Sequence, residues 1–156
     1  MKLESKALKK LLALIPNGPT IRNYAGVVRV GKEIVEYTDG FRLLRISNPL
    51  SMPEGCYSKS EIKRELVVPD AAKPSKVSYP DTEKFMHSYS TGKVGGPKPK
   101  EAQEPSTSIN GKWLAECLNV ICADSDKKNA RLEITDKFLK ISCEKNTALI
   151  GALQKN

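Results

Sequence analysis

One order of elements occurs twice in this chain, and the repetition restricts the folds that the chain can adopt. Residues 1–47 and residues 108–156 each begin with an apolar stripe at helical spacing and continue with three short alternating segments. The stretch between them, residues 48–107, holds eight of the ten prolines and is typical of a loop-rich insertion. Since 156 residues is the length of one domain, the pattern predicts a single α+β domain over 1–156 with two helix-plus-three-strand halves.

The first half is predicted to contain a helix over residues 3–15 and strands over 25–30, 33–37 and 41–47. Pro16 begins the PNGP segment that ends the helix. Apolar residues at helical spacing form one side of this helix: Leu3, Ala7, Leu8, Leu11, Leu12 and Ile15. Four lysines lie towards its opposite side: Lys2, Lys6, Lys9 and Lys10. Lysines interrupt the apolar stretch and no small-residue cleavage site follows it, so we expect an amphipathic helix rather than a signal peptide.

The second half repeats this order with a helix over residues 111–122 and strands over 131–135, Phe138–Cys143 and 147–153. Asn110 is a plausible N-cap for the helix. The apolar side of the helix consists of Trp113, Leu114, Cys117, Leu118 and Ile121. This position makes Trp113 a core residue rather than a platform for stacked bases.

The strands of both halves are predicted to pair antiparallel, with both helices on one face of the sheets. Lysines of the two helices, Lys112 among them, would then project together on a positive outer surface. A solvated helix face would carry the same lysines, so the pattern alone leaves both interpretations open. In the insertion we expect short strands at 65–68 and 76–79 and mobility from about 88 to 105.

The charge of the chain favours a polyanionic partner. Its 26 Lys and Arg outnumber 18 Asp and Glu and give a net charge of +8. DNA or RNA is the first partner that such an excess favours and an anionic membrane the second, while a basic protein without either partner is an equal alternative. No apolar run approaches the length of a membrane span.

Cysteine and histidine usage indicates neither a metal site nor a disulfide scaffold. Cys56, Cys117, Cys122 and Cys143 include no C-x-x-C pair and suit a reducing cytoplasm. The lone His87 has no second histidine or nearby cysteine and is expected to be a solvated surface residue. The sequence also lacks a nucleophile elbow and a phosphate-binding loop, so we expect no enzyme, cofactor or metal.

Segments in both halves resemble the DNA sliding clamp family, represented by the bacterial DNA polymerase III β subunit. In the first half, residues 21–24 (IRNY) and 38–43 (TDGFRL) are similar to an arginine–tyrosine segment and a TDGHRL motif of its middle domain. Phe41 replaces the usual histidine of that motif. In the second half, residues 108–114 (SINGKWL) and 130–136 (ARLEITD) resemble a helix start and a strand of a clamp domain.

The resemblance implies one clamp-like domain whose helices face DNA inside a ring, and a pocket that binds short peptides of polymerases and clamp loaders. Arg22 and Tyr24 match clamp positions near duplex DNA and the pocket rim. The DNA-binding residues would be Lys2, Lys6, Lys9, Lys10, Arg22, Tyr24 and Lys112. The peptide-binding residues would be Thr38, Gly40, Phe41, Arg42 and Leu43. For Asp39 and Gly40 a structural role is favoured over a functional one, because Asp-Gly forms hairpin turns wherever a chain needs one.

Three functions follow from the sequence. The first is a sliding-clamp-like processivity factor that holds duplex DNA non-specifically, as a homo-oligomer of about six copies by analogy with six-domain rings, or in another assembly. The second is a clamp-fold interaction module that binds a replication-protein peptide without forming a ring. The third, a small nucleic-acid enzyme, requires acidic residues that converge in space with a basic one. The paired acids Asp124 and Asp126 fall in a predicted loop, where solvation explains them.

Overall fold

The computed structural model of the chain describes residues 5–84, 86, 108–127, 129–135 and 137–152. The first half contains α1 (Lys6–Leu14), a 3₁₀ helix (Asn23–Gly26), β1 (Val27–Val30), β2 (Ile34–Thr38) and β3 (Arg42–Ser47). The insertion adds β4 (Gly55–Ser58) and α2 (Lys59–Glu65). The second half contains α3 (Gly111–Ile121), β5 (Arg131–Ile134), β6 (Phe138–Cys143) and β7 (Asn146–Gly151). The predicted order of helix and three strands is therefore present in each half.

All seven strands belong to one antiparallel sheet with the order β4-β1-β2-β3-β7-β6-β5. The last predicted strands of the two halves, β3 and β7, pair with each other at the centre of the sheet. From this centre outwards the strands of each half follow in reverse sequence order, β3-β2-β1 on one side and β7-β6-β5 on the other. The α+β class and the antiparallel pairing predicted from the sequence are confirmed. No helix among the described residues has the length and apolar character that crossing a membrane requires.

Helices α1 and α3 pack on the same face of this sheet. They contact each other, and both contact β3. Beneath them a row of directly opposed residues crosses four strands: Tyr37, Leu44, Ala148 and Ile141. All four side chains are buried in the core that also contains the apolar side of each helix. Period-2 alternation in the strands and period-3.6 spacing in the helices thus place the apolar residues on one shared interior.

The N-terminus of α1 is anchored to the loop that follows α3. Asp124 accepts hydrogen bonds from Lys6 N at 2.7 Å, Ala7 N at 3.2 Å and Ser5 Oγ at 2.8 Å. Ser5 also caps α1 itself, and its hydroxyl accepts from Leu8 N at 3.1 Å. A carboxylate at a helix N-terminus satisfies free N–H groups and complements the helix dipole. The predicted N-cap of α3, Asn110, is confirmed, because its side-chain oxygen accepts hydrogen bonds from Lys112 N and Trp113 N in the first turn.

The second face of the sheet carries a buried charge network. Glu36 on β2 is 0% exposed and lies between Arg29 Nε and Arg45 Nε, each 2.8 Å from one of its carboxylate oxygens. Thr82 donates its hydroxyl hydrogen to Glu36 at 2.7 Å and accepts from Arg45 at 3.0 Å. The network therefore fastens the segment around Thr82 across the second face, opposite the helices.

The structure corrects the predicted organisation of residues 48–107. The strand expected at 65–68 is the end of α2 and the turn that follows it, and residues 76–79 form no strand. Instead, β4 pairs with β1 along its whole length, and α2 follows with Ser58 as its N-cap. The segment for which mobility was predicted, about 88–105, lies outside the described residues, and so do Lys2 and His87.

Replacing Glu36 with alanine is expected to reduce the free energy of unfolding by about 3 kcal/mol, because it leaves Arg29 and Arg45 without their buried counter-charge. Urea denaturation of the variant and the parent chain measures this loss. Asp81→Ala is the matched control, since Asp81 forms an exposed ion pair with Lys84 at 3.6 Å and should change stability by less than about 0.5 kcal/mol. Equal effects of the two substitutions would contradict a structural role for the network.

Candidate functional site

Four of the predicted DNA-binding lysines are described, three on α1 and one on α3. Lys6, Lys9 and Lys112 are exposed, and Lys10 is half-buried. Lys10 Nζ donates to Asn119 Oδ1 and so connects the outer surfaces of the two helices. These four lysines on the packed pair of helices are called the helical surface below.

A groove of about 810 Å³ runs along one end of the helical surface. Lys6 and Lys10 line it from α1, and Asp124 and Asp126 line it from the loop after α3. The carboxylate of Asp124 is engaged in capping α1, so its charge already has partners within the protein. The groove therefore mixes both signs of charge, whereas Lys9 and Lys112 are exposed and do not line it.

A second cavity, a cleft of about 290 Å³, lies at the end of the sheet where β2 turns into β3. Its floor belongs to the second face, since Thr38, Leu43 and Leu149 lie directly opposite one another across β2, β3 and β7. The lining residues come from both halves and from the segment that the Glu36 network holds: Arg22, Tyr24, Thr38, Gly40, Phe41, Arg42, Leu43, Pro80, Thr82, Phe138, Leu149 and Gly151. All five predicted peptide-binding residues line this one cleft.

The turn at 38–42 is held by its own side chains. Asp39 Oδ1 accepts from Phe41 N at 3.0 Å and from Arg42 N at 3.1 Å. Thr38 Oγ1 accepts from Gly40 N at 3.1 Å and donates to Arg42 O at 2.7 Å. These local bonds account for Asp39 and Gly40 as turn residues. These hydrogen bonds also fix the orientation of the Phe41 backbone within the turn.

Phe41 forms the exposed aromatic wall of the cleft. Its ring is stacked on Trp113, with centroids 5.3 Å apart and an interplanar angle of 25°. The guanidinium of Arg22 lies 4.8 Å from the centroid of the Phe41 ring, and its Nη1 donates to Asp39 O at 3.0 Å. Phe41 is nevertheless 54% exposed, so the aromatic ring is offered to solvent in a fixed position.

Arg42 lines the cleft, but its guanidinium is bound within the protein. The residue lies opposite Ile150, on the face that carries the helices, and is 9% exposed. Its Nε donates to Asp39 Oδ2 at 2.9 Å, and its Nη1 donates to Glu116 of α3. Burial opposes the positive charge, but the bonds with Glu116 and Asp39 outweigh it and raise the pKa of Arg42. An Arg42→Glu variant would therefore disturb the fold before it tested any ligand.

Arg22 and Tyr24 were predicted with the DNA-binding lysines, and the structure brings them to the cleft. Tyr24, in the 3₁₀ helix, makes an edge-to-face contact with Tyr79 at a centroid distance of 6.4 Å. Burial, followed by the charge of Glu36, raises the pKa of Tyr79, so its hydroxyl is neutral at ordinary pH. The two tyrosines join the rim of the cleft to the segment held over the second face.

Five lining residues were not predicted from the sequence: Pro80, Thr82, Phe138, Leu149 and Gly151. The alternating pattern of the second half predicted that Leu149 lies on a strand, but it did not indicate that this strand pairs with β3. Pro80 and Thr82 lie in the insertion, where a loop was expected. Only the pairing of β3 with β7 and the Glu36 network bring these residues to the turn.

Within the described residues, no three His, Cys, Asp or Glu side chains are grouped so that they could hold a metal ion. All four cysteines are free thiols, and burial raises the pKa of Cys117 to about 12. The predicted core position of Cys117 is confirmed. Trp113 is only partly buried and packs against the edge of the core, where it supports Phe41.

Comparison of the chain with protein-family models, with curated proteins and with solved structures gives no significant match.

Gly40→Ala is expected to lower the free energy of unfolding by about 1–2 kcal/mol and to displace Arg22 from Phe41. Gly40 has φ +91°, and an added Cβ would lie 1.7 Å from Arg22 Nη1 and 2.9 Å from the Tyr24 hydroxyl. Gly18→Ala is the control, because an added Cβ there meets no atom within 4 Å. Urea denaturation of both variants measures the difference, and equal stability of the two would contradict the close approach at Gly40.

Proposed function

We propose that this protein is a sliding-clamp-like factor that holds duplex DNA non-specifically through its helical surface. The observation that carries the proposal is the position of Lys6, Lys9, Lys10 and Lys112 on two helices packed side by side on one face of a continuous sheet. The proposed role needs no catalytic group and no cofactor, because holding DNA requires only attraction to phosphate.

The fold supports a clamp-like interpretation of the sequence resemblance. Two halves with reversed strand order meet at β3 and β7, and each half contributes one helix to the same face. This is the arrangement that the resemblance of residues 38–43 and 108–114 implies for a clamp domain. Lys6, Lys9 and Lys112 on these two helices are exposed, which supports access of a duplex to them.

The chemistry of the helical surface suits binding that does not depend on sequence. A lysine ammonium is a compact charge on a flexible stem and attracts phosphate without fixing the register of the duplex. The N-termini of both helices are capped, α1 by Asp124 and α3 by Asn110. Capped helices with flexible charged side chains hold the duplex close while permitting it to slide.

The double charge reversal Lys6→Glu, Lys9→Glu is expected to weaken DNA binding by about 100-fold or more and to reduce the slope of log K against log salt by roughly 2. Fluorescence anisotropy with two labelled duplexes of unrelated sequence, titrated at several salt concentrations, measures both quantities. The two duplexes should lose affinity equally, because phosphate contacts carry no sequence information.

Lys73→Glu, Lys76→Glu is the matched control for this experiment. Both residues are exposed, lie in the segment beside β4 and give the same change in net charge. Binding that falls equally in the two double variants would assign the affinity to overall charge and reject the helical surface. An unmodified chain without measurable affinity for duplex DNA would reject the proposal as a whole.

The cleft favours a second function, an interaction module that binds a short peptide. Apolar Leu43 and Leu149 form its floor, the exposed Phe41 ring forms a wall, and Arg22 adds a cation at the rim. A cleft of about 290 Å³ accommodates one or two large apolar side chains of an extended peptide. Preformed aromatic walls with few polar groups are typical of such peptide sites.

Phe41→Ala is expected to abolish binding of peptides selected on the unmodified chain from a displayed library of short random peptides. The substitution removes the aromatic wall, and partial exposure of Phe41 keeps the cost in stability low. Val67→Ala, at a residue that is 80% exposed and distant from the cleft lining, is the control and should leave the affinity unchanged. Selected peptides that bind the Phe41 variant as tightly as the parent would exclude the cleft as their site.

A further inference from the structure

The outer edge of β5 is a surface that neither proposed function uses. β5 is the last strand of the sheet order and pairs with β6 on one side, and no other strand of the described chain pairs with it. The opposite edge strand, β4, differs, because Ser75 N donates to Cys56 O at 2.6 Å and so covers part of that edge. Of the two sheet edges, β5 is therefore the one available to a partner strand.

The main-chain groups of β5 alternate between β6 and the open edge. Thr135 N donates to Phe138 O at 2.9 Å, which identifies Thr135 as a hydrogen-bonded position of the hairpin. Because such positions alternate in antiparallel strands, Glu133 also directs its N–H and C=O at β6. Leu132 and Ile134 therefore direct theirs outwards, where a further strand would receive them.

The side chains of the same two residues form an exposed apolar pair. Leu132 lies opposite Ile141 and Ile134 lies opposite Leu139, so both project on the helix-bearing face. They are 52% and 60% exposed, because α1 and α3 cover the central strands and not β5. Exposed apolar side chains next to unpaired backbone groups are the usual signature of an edge that pairs with another strand.

We propose that two copies of this chain associate through β5, which pairs antiparallel with β5 of the second copy about a twofold axis at Leu132. In this register Arg131 lies opposite Glu133 of the second copy, and the same ion pair forms again across the axis. Ile134 lies opposite the small Ala130 of the second copy. Moving the axis by one residue would place two Glu133 carboxylates opposite each other, so charge selects the register centred on Leu132.

The dimer defines a single extended surface. A twofold axis perpendicular to the sheet keeps the faces of the two copies aligned, so α1 and α3 of both copies lie on the same side. The contact uses the β5 edge of each copy and leaves the two β4 edges at the far ends, so association stops at two chains. The dimer is a property of the free protein, and its presence or absence is measured without DNA or peptide.

Sedimentation equilibrium of the full chain over a series of concentrations tests the association. We expect a monomer–dimer equilibrium, and Leu132→Glu should raise the dimer dissociation constant by at least about tenfold, because it places like charges on the axis. Val67→Glu introduces the same charge at another exposed apolar residue and should have no effect. A chain that remains monomeric at every concentration, or equal effects of the two variants, would overturn the proposal.

Exchange of the charges tests the register. Arg131→Glu alone and Glu133→Arg alone should each weaken the dimer, and the double variant should recover it, because both intermolecular pairs form again with opposite sign. Thermal unfolding of the variants reports the contacts within one chain, where Glu133 lies 3.3 Å from Arg131 Nε and 3.8 Å from Lys140 Nζ. A double variant that associates no better than the single ones would overturn this register.

A cysteine at the axis gives an independent test. Hydrogen-bonded opposite residues in antiparallel strands have Cα atoms about 5.5 Å apart, a separation that a disulfide spans. Under oxidation Leu132→Cys should yield a covalent dimer, whereas Ile134→Cys, opposite Ala130, and the unmodified chain with its own cysteines should not. Efficient crosslinking of Ile134→Cys or Glu133→Cys in place of Leu132→Cys would overturn the proposed axis.

Discussion

The pairing of β3 with β7 is the contact on which the rest of the structure depends. On one face it places Leu44 opposite Ala148, and this row supports both helices. On the other face it places Leu43 opposite Leu149, and these two residues form the floor of the cleft. Residues distant in sequence thereby become one sheet, and both candidate surfaces exist only where the two halves meet.

The sequence predicted elements whose apolar pattern is long enough to read, and it missed those that depend on distant partners. Helices α1 and α3 and six strands were located to within a few residues, because their burial follows a regular period. Strand β4 is short, and its burial depends on its pairing with β1, which no local pattern reveals. Helix α2 did carry a readable signal, since Ser58 is followed three residues later by Glu61.

For the cleft, the sequence identified the turn but not the direction of its side chains. Adjacent residues of a strand point to opposite faces, and the register decides which face becomes the interior. Phe41 lies at the exposed rim, where its ring stacks on Trp113 of α3, whereas Arg42 is buried and bound to Glu116 of the same helix. A motif of six residues contains both and does not distinguish the exposed side chain from the structural one.

The two candidate surfaces lie mainly on opposite faces of the sheet, and Phe41 connects them, because its ring lines the cleft and stacks on Trp113 of α3. The cleft is built on the face of Leu43 and Leu149, whereas the lysines project from the helices that cover the face of Leu44. Arg42 connects the turn to α3, because its guanidinium binds both Asp39 and Glu116. In the two proposals a peptide would contact Phe41 and Leu43 in the cleft, and a duplex would contact the lysines of α1 and α3.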